Sequence, residues 1–429
     1  MSETRMAIKT AASVATLLVF VAQLSTGMYV PLAPFLATRR QVGYLLSAQG
    51  LSSFLALVPA GQAVDRFSAK PVIEKGILIF GLGLVFSLSS TTFWVQLAGR
   101  LCGGAGASIL FNAAMSLVME RCAEKDRGPY IGQVLGIGTL GTLVGPPLAG
   151  YTFTLASAWR VPNAEVAPLL LPLALVAVAR CALRSVADVE ARLKEERLLP
   201  LDPVIPKKDS LSERFLGVYT NVGAKSGGVA ADLAILFGAQ SAILCAGTLD
   251  MRHQGLPPTL IGLAPVPAGI MQAVTSHYGG VLSAAPWRRG AMMMICPAVL
   301  AVSLGALCAA RPFLDAADVV TPFVVAMGLV TAALGLADAP SIDLMTDLAK
   351  QHNRGYGEAV TATELAVCAG QAVGPSLGVL ILDFAGFNAL CLVLAAIAAA
   401  AGAANVALFW DSVRAGDRSH PPAAREQGC

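Results

Sequence analysis

The chain has 429 residues, of which 55% are apolar and only 13% are charged, and its formal net charge is +3. Soluble domains carry about 25% charged residues, so this composition excludes a fully water-soluble protein of this length. The small net charge gives no sign of a nucleic-acid partner, and the nine cysteines show no metal-ligand spacing. We therefore expect an all-α membrane protein with no cofactor, no metal and no nucleic-acid partner.

Twelve segments contain the roughly 20 predominantly apolar residues that a transmembrane helix requires. The longest polar interval, 185–228, divides them into six and six. We expect 12 transmembrane helices in two pseudo-symmetric six-helix bundles (1–184 and 229–410), a cytoplasmic linker (185–228) and a disordered cytoplasmic tail (411–429). The predicted spans are 11–36, 41–64, 71–90, 93–119, 127–154, 162–184, 229–251, 257–284, 289–311, 319–348, 356–384 and 387–410.

Lys and Arg are distributed unequally over the loops between these spans. With the N-terminus in the cytoplasm, 24 of the 30 basic residues fall on the cytoplasmic side and 5 on the opposite side. Cytoplasmic loops of membrane proteins carry such an excess of positive charge. The sequence thus predicts a multi-pass protein with both termini in the cytoplasm, a topology that fits the plasma membrane and an intracellular vesicle membrane equally.

Polar side chains inside the apolar spans are candidates to line a central cavity. Arg100, in the fourth span, needs a partner or a water-filled cavity, unless it snorkels to the outer membrane surface. Asn112 belongs to a series of three small polar side chains, spaced four residues apart, that either line a cavity or bind neighbouring helices. The neutral cavity candidates are Gln23, Thr26, Gln49, Asn112, Gln240 and Gln371.

The segment GQAVDRFSAKP joins the second and third spans. An Asp-Arg pair followed by Lys at a tight cytoplasmic turn can clamp helix ends, because carboxylates and cations bind opposite helix termini. We expect Gly61, Asp65, Arg66 and Lys70 to form a gating motif of this kind; an ordinary positively charged cytoplasmic loop is the alternative.

The fifth span contains the segment GTLGTLVGPPLAG, which is too rich in glycine for an ordinary soluble helix. In lipid, small residues let two helix backbones approach closely, and residues four apart share one face. We expect Gly141 and Gly145 to form such a packing face. Pro146 should bend or weaken the helix where the face ends, and Gly150 completes the motif.

The same pattern returns in the second half of the chain at one fixed offset of 229 positions. Gly128, Gly141, Gly145 and Pro146 correspond in this register to Gly357, Gly370, Gly374 and Pro375. So long an offset predicts two related halves of a membrane transporter rather than a solenoid.

Two acidic residues lie inside the tenth and eleventh spans. A carboxylate at the centre of a transmembrane helix costs about 2.5–3.5 kcal/mol by insertion scales. Glu364 is surrounded by apolar sequence, and Asp338 is followed closely by Pro340, which interrupts the helix as in many transporter sites. We expect Glu364 and Asp338 to bind protons or cations; structurally hydrogen-bonded acids are the alternative.

These motifs together resemble the major facilitator superfamily. The loop motif G-x-x-x-D-R, the fourth-span stretch LAGRLCGGAGAS and the fifth-span Gly-Pro motif are similar to those of its drug:proton antiporter branch. The resemblance implies that the loop motif gates the transporter and that Arg100 assists proton transfer. Ser68 and Ala69 depart from this branch, which prefers Gly and a basic residue there.

The stretch YGEAVTATELAVCAGQAVGPSLG is similar to the eleventh span of the vesicular amine transporters. In that family, acidic residues of the tenth and eleventh spans couple protons and recognise cations, and the matching residues here are Asp338 and Glu364. Three other charges of that family are absent, since Gln23, Gln49 and Cys245 stand near their positions. The sequence therefore does not support a monoamine substrate.

The predicted function is proton-coupled antiport of a small cationic or amphiphilic organic solute by alternating access. We expect a monomer in the lipid bilayer. The alternatives are a facilitator or symporter of a sugar or organic anion, and a non-transporting receptor or scaffold on a transporter fold. An enzyme is not expected, because no catalytic triad, metal cluster or nucleotide-binding loop occurs in the sequence.

Overall fold

The computed structural model describes residues 2–121, 127–195, 224–283, 286–310, 318–351 and 356–419. These residues form helices joined by short connections, and no strand occurs among them. The helices are α1 (Ser2–Leu36), α2 (Arg39–Phe67), α3 (Ala69–Ser89), α4 (Phe93–Arg121), α5 (Arg127–Ala158), α6 (Leu170–Glu195), α7 (Ala224–His253), α8 (Pro258–Leu263), α9 (Val266–Leu282), α10 (Pro286–Ala310), α11 (Val320–Gln351) and α12 (Tyr356–Ser419).

Ten segments of the described helices are long and apolar enough to cross a membrane. The last of them, Thr361–Asp411, covers most of the eleventh predicted span and all of the twelfth. Gly386 separates these two spans, because its backbone is not helical (φ 79°, ψ 175°). A positive φ of this kind is readily adopted only by glycine. The fifth predicted span is the 32-residue helix α5, and the all-α membrane fold predicted from the sequence is confirmed.

Two helices extend beyond their predicted ends. Helix α6 continues to Glu195 and α12 continues to Ser419, so residues 411–419, expected to be disordered, are helical. Adding a residue to an existing helix requires no new nucleation, so a helix can continue past the apolar stretch that defines its span. The central part of the predicted linker, 196–223, lies outside the described residues.

The chain separates into two compact units. The first comprises Met1–Asp209, Leu244–Val266 and Gln371–Val379, and the second comprises Ser210–Ile243, Pro267–Gly370 and Leu380–Cys429. The end of α7, all of α8 and a short part of α12 therefore pack with the helices of the first half. The division into bundles at 1–184 and 229–410 stays a prediction.

Helices α1 and α5 pack closely in the first unit. A Cβ atom added to Gly145 would lie 2.8 Å from both Leu24 O and Met28 N of α1, and one added to Gly141 would lie 2.6 Å from Phe20 O. Such distances are shorter than van der Waals contact, so only glycine allows the two backbones to approach this closely.

The rest of the fifth-span motif contacts α8. Pro146 is buried, and its carbonyl oxygen lies against Gly262 of α8. Gly150 lies in the same way against the carbonyl oxygen of Pro258. The motif therefore has two neighbours, α1 through Gly141 and Gly145, and α8 through Pro146 and Gly150.

The corresponding residues of the second half lie on α12. In the second unit, a Cβ added to Gly370 would lie 2.8 Å from Gly238 N of α7. Gly374 and Pro375 are buried in the first unit, where a Cβ added to Gly43 of α2 would lie 3.4 Å from Pro375 O. Small residues thus mediate close packing in both units.

Substituting Gly145 with Ala should lower the thermal stability of the purified protein in detergent, because the added methyl group meets the α1 backbone. Overpacking a close contact costs about 1–3 kcal/mol. Gly136→Ala in the same helix is the matched control, because a Cβ there has nothing within 4 Å. Equal melting temperatures of the two variants would contradict the packing role of Gly145.

Candidate functional site

The two predicted acids lie on neighbouring segments of the second unit. Asp338 is on α11, two residues before Pro340, and Glu364 is on α12, two turns after its first residue. Their charges are close enough to interact, and Cys368, one turn beyond Glu364, also interacts with Glu364. The structure therefore brings together the two side chains to which the sequence assigned proton and cation binding.

Both residues are partly buried. Within the described part of the chain, neither accepts a hydrogen bond nor pairs with a cation. A carboxylate that is permanently bound to a neighbour cannot exchange ligands, whereas a partly exposed acid without a fixed partner can alternate between a proton and a cation. Exchange of ligands at Glu364 and Asp338 stays a prediction, and no hydrogen bond or ion pair of the described residues opposes it.

A neutral polar pair joins α7 and α9 in the same unit. The Nε2 atom of Gln240 donates a hydrogen bond to Oε1 of Gln272 at 3.2 Å. Gln240 was predicted as a cavity residue, and the structure shows that its amide binds a neighbouring helix. Gln371, another predicted cavity residue, belongs to the first unit, where its backbone lies against Gly50 of α2.

Arg100 is buried in the first unit, with 7% of its surface exposed. Its guanidinium group lies over the ring of Tyr29 from α1, with 4.0 Å between the guanidinium carbon and the ring centroid. The Tyr29 hydroxyl donates to Oε1 of Gln96 at 2.9 Å, and Nε2 of Gln96 donates to the carbonyl oxygen of Ser87 at 2.7 Å. Arg100 is therefore packed inside the protein rather than extended to the membrane surface.

The contacts of Arg100 are neutral. No carboxylate pairs with it within the residues that the structure describes, and its Nε atom is buried without a hydrogen-bond partner. The Tyr29 ring attracts the cation through its quadrupole, an interaction worth up to about 2 kcal/mol when it is desolvated. Tyr29 was not predicted, because it lies 71 positions before Arg100 and so distant a pair leaves no periodic signal in the sequence.

A small cavity of about 10 Å³ lies beside Arg100, lined also by Thr26, Tyr29 and Gln49. The Thr26 hydroxyl donates to the carbonyl oxygen of Ala22 at 3.0 Å, so it must accept the 2.6 Å hydrogen bond from Nε2 of Gln49. This fixes the Gln49 amide and leaves its Oε1 atom buried without a partner. A cavity of this size, with one donor and one acceptor, fits a single water molecule.

The remaining cavity candidates bind neighbouring helices. Oε1 of Gln23 accepts a 3.3 Å hydrogen bond from Thr142 of α5. Nδ2 of Asn112 donates to the carbonyl oxygen of Leu57 on α2 at 3.0 Å. Asn112 was expected either to line a cavity or to bind a neighbouring helix, and the observed hydrogen bond binds α2.

The gating motif lies where α2 ends at Phe67 and α3 begins at Ala69. Ser68 joins the two helices with φ 64° and ψ 169°, a conformation that costs a residue other than glycine about 1–3 kcal/mol. This explains why glycine is preferred at the position in the family that the loop resembles. Arg66 is exposed, Gly61 and Lys70 are partly buried, and the side chain of Asp65 lies outside the described residues.

A charged cluster outside the predicted site residues joins α9, α10 and α11. Nη1 of Arg289 donates to Oδ2 of Asp347, and Nε of Arg289 donates to the carbonyl oxygen of Ser283 at 2.8 Å. The Ser283 hydroxyl donates to Oδ2 of Asp343 at 2.9 Å. Asp343 and Asp347 are four residues apart on one face of α11, and this spacing was the available signal that a cation would lie opposite them.

A further ion pair lies within the first unit, on the side predicted to be opposite the cytoplasm. Nη2 of Arg39 lies 3.7 Å from Oδ1 of Asp250. Two residues after Asp250, the guanidinium carbon of Arg252 lies 4.2 Å from the ring centroid of Phe35. These contacts attach the end of α7 to the connection between α1 and α2.

Membrane-length apolar helices that hold a buried arginine and a pair of partly exposed acids define a multi-pass membrane protein. The family model described as Major Facilitator Superfamily matches residues 15–355 and 229–428. Because the match covers most of the sequence, the chain belongs to this superfamily.

Individual relatives are similar over shorter or more divergent regions. Multidrug resistance protein 2 of Bacillus subtilis is 31% identical over 139 residues, which cover 31% of this chain and 34% of that protein. The chromaffin granule amine transporter of Rattus norvegicus is 23% identical over 364 residues, which cover 83% of this chain and 63% of that protein. The chain thus spans less than two thirds of either relative. The names of both relatives describe transport or resistance functions.

Tyr29→Phe removes the hydroxyl that donates to Gln96 but keeps the ring beneath Arg100, whereas Tyr29→Leu removes both. We expect Tyr29→Leu to melt at the lower temperature, because it also loses the cation–π interaction, worth about 0.5–2 kcal/mol. Thermal unfolding in detergent measures the difference. In an Arg100→Leu background the difference in melting temperature between the two Tyr29 variants should shrink. An unchanged difference would mean that the lower stability of Tyr29→Leu comes from lost ring packing alone.

Proposed function

We propose that the protein is a secondary active transporter that exchanges protons for a small cationic or amphiphilic organic solute by alternating access. The observation that carries the proposal is the pair of carboxylates, Asp338 and Glu364. They lie within membrane-length helices, interact electrostatically and have no fixed hydrogen-bond or cationic partner among the described residues. Multidrug resistance proteins and vesicular amine transporters among the relatives agree with a solute of this class.

Protons and the cationic solute compete for the same negative charge. An ionised carboxylate attracts a cation, and protonation removes that attraction, so each ligand lowers the affinity of the site for the other. Two neighbouring acids also favour a single shared negative charge, because two unscreened charges repel each other in a medium of low dielectric constant. A proton gradient can therefore drive the release of the solute on the acidic side of the membrane.

Arg100 acts in this proposal as a permanent positive charge of the first unit. Its neighbours, the Tyr29 ring and the Gln49 amide, are neutral, so no anion pairs with its charge among the described residues. A buried cation without an anionic partner influences the protonation of acids beyond direct contact, because charges are poorly screened in a medium of low dielectric constant. The cavity beside Gln49 supplies a place for a water molecule that Arg100 can orient for proton transfer.

Gating is assigned to the loop between α2 and α3 and to the glycine faces. Arg66 and Lys70, with Asp65, clamp one cytoplasmic state, and the faces of Gly141 and Gly370 let helices slide past each other. Both termini lie in the cytoplasm in this proposal, and the functional unit is a monomer.

A second candidate function is the transport of an organic anion, and Arg100 is the observation that favours it. A buried guanidinium with a free donor can bind a carboxylate or sulfonate more strongly than a neutral group can. Uptake of a panel of amines, polyamines and organic anions into proteoliposomes separates the two functions. Anion accumulation that Arg100→Gln abolishes would favour the second.

Glu364→Gln should abolish the accumulation of solute that an imposed pH gradient drives in proteoliposomes. The amide keeps the size of the side chain but cannot take up and release a proton. Glu74→Gln makes the same chemical change at an exposed site on α3 and should accumulate solute like the wild type. Undiminished accumulation by folded Glu364→Gln would exclude the coupling role of Glu364.

Asp338→Asn should weaken equilibrium binding of the cationic solute by about tenfold or more, which corresponds to about 1.4 kcal/mol. The affinity of the wild type should fall as the pH is lowered, because protons compete with the solute, and the variant should show less of this dependence. Asp411→Asn, at an exposed position of α12, is the control. Wild-type affinity in Asp338→Asn would remove Asp338 from the site.

A further inference from the structure

A third acid lies inside the second unit, on α7. Asp232 is only 2% exposed, and its Oδ2 atom accepts a hydrogen bond from Nδ2 of Asn405 on α12. The same Nδ2 atom donates to the carbonyl oxygen of Met293 on α10 at 2.9 Å. Three helices, α7, α10 and α12, therefore meet at one carboxyl group.

The second oxygen of this carboxyl group has no partner. Oδ1 of Asp232 is buried and makes no hydrogen bond, and no Lys, Arg or His pairs with Asp232 in the described part of the chain. A single amide donor that is shared with a backbone carbonyl does not balance a buried negative charge, which costs several kcal/mol when it is unpaired. The neutral carboxylic acid avoids this cost, because it places no net charge at the contact.

We propose that Asp232 is a proton-binding site separate from Glu364 and Asp338. It carries a proton while α7, α10 and α12 are in contact, and it releases the proton only when water reaches Oδ1. The proposal rests on the burial and the missing partner of this one carboxyl group, so it holds whether or not the protein is a proton antiporter.

The groups around Asp232 provide no compensating positive charge. Asn405 and Met293 are neutral, and the titratable group that interacts with Asp232 from α10 is the thiol of Cys296. On α7 itself, Lys225 lies about two turns before Asp232, roughly 10 Å along the helix axis. Ionisation of Asp232 in the packed state would therefore leave a negative charge without a bound cation. Proton release from Asp232 thus requires the contact among the three helices to loosen.

Infrared spectroscopy tests the proposal directly, because a protonated carboxyl group has a C=O stretching band that a carboxylate lacks. The measurement uses the full-length protein in proteoliposomes at neutral pH, in a Glu364→Gln, Asp338→Asn background that removes the bands of the other two acids. We expect the remaining band to disappear in Asp232→Asn and to persist in Asp411→Asn. A spectrum that Asp232→Asn leaves unchanged would overturn the proposal.

If Asp232→Asn does not fold, the infrared spectrum of Asn405→Leu tests the proposal instead. This substitution removes the hydrogen bond to Oδ2, so the band of a protonated Asp232 should move to higher frequency while the band area stays constant. An Asp232 that is ionised in the wild type would produce no such shift, and that result would overturn the proposal. Failure of gradient-driven transport in Glu364→Gln, by contrast, bears only on the coupling role of Glu364.

Discussion

The cost of placing charge inside apolar helices governs the organisation of this protein. Arg289 balances that cost through direct pairing with Asp347, and Arg100 through the ring of Tyr29 and a small polar cavity. Asp338 and Glu364 have neither kind of compensation among the described residues. A charge that the fold does not neutralise must be neutralised by something that arrives from outside, and a proton and an organic cation both meet that requirement.

The helices that carry these charges are positioned by close contacts between small residues. Within the first unit the fifth-span helix packs on α1 through Gly145, and within the second unit the eleventh-span helix packs on α7 through Gly370. The fifth helix of each half therefore packs against the first helix of the same half. This correspondence gives the 229-position repeat a physical meaning, because the repeated glycines perform the same packing task twice.

Sequence patterns predicted what depends on local composition and missed what depends on contacts between distant helices. The spans follow from runs of apolar residues, and the packing role of Gly145 follows from its four-residue spacing. The partnership of Arg100 with Tyr29 has no local signal, since the two residues lie on different helices. Asp232 was overlooked for a related reason: its significance lies in the missing partner of one oxygen, which only a structure reveals.

The repeat also distinguishes the glycines and prolines that pack helices from the charged residues of the spans. At the same offset of 229 positions, Arg100 corresponds to Leu329, Asp338 to Ile109 and Glu364 to Leu135. Each of these three charged residues thus has an apolar counterpart, whereas Gly128, Gly141, Gly145 and Pro146 are matched by glycine or proline at the same offset. A duplicated charge would add about 2.5–3.5 kcal/mol of insertion cost to the other half without a ligand to offset it. Close packing is needed in both halves, whereas a charge that binds a ligand is needed only once, so the asymmetry agrees with the binding role proposed for Arg100, Asp338 and Glu364.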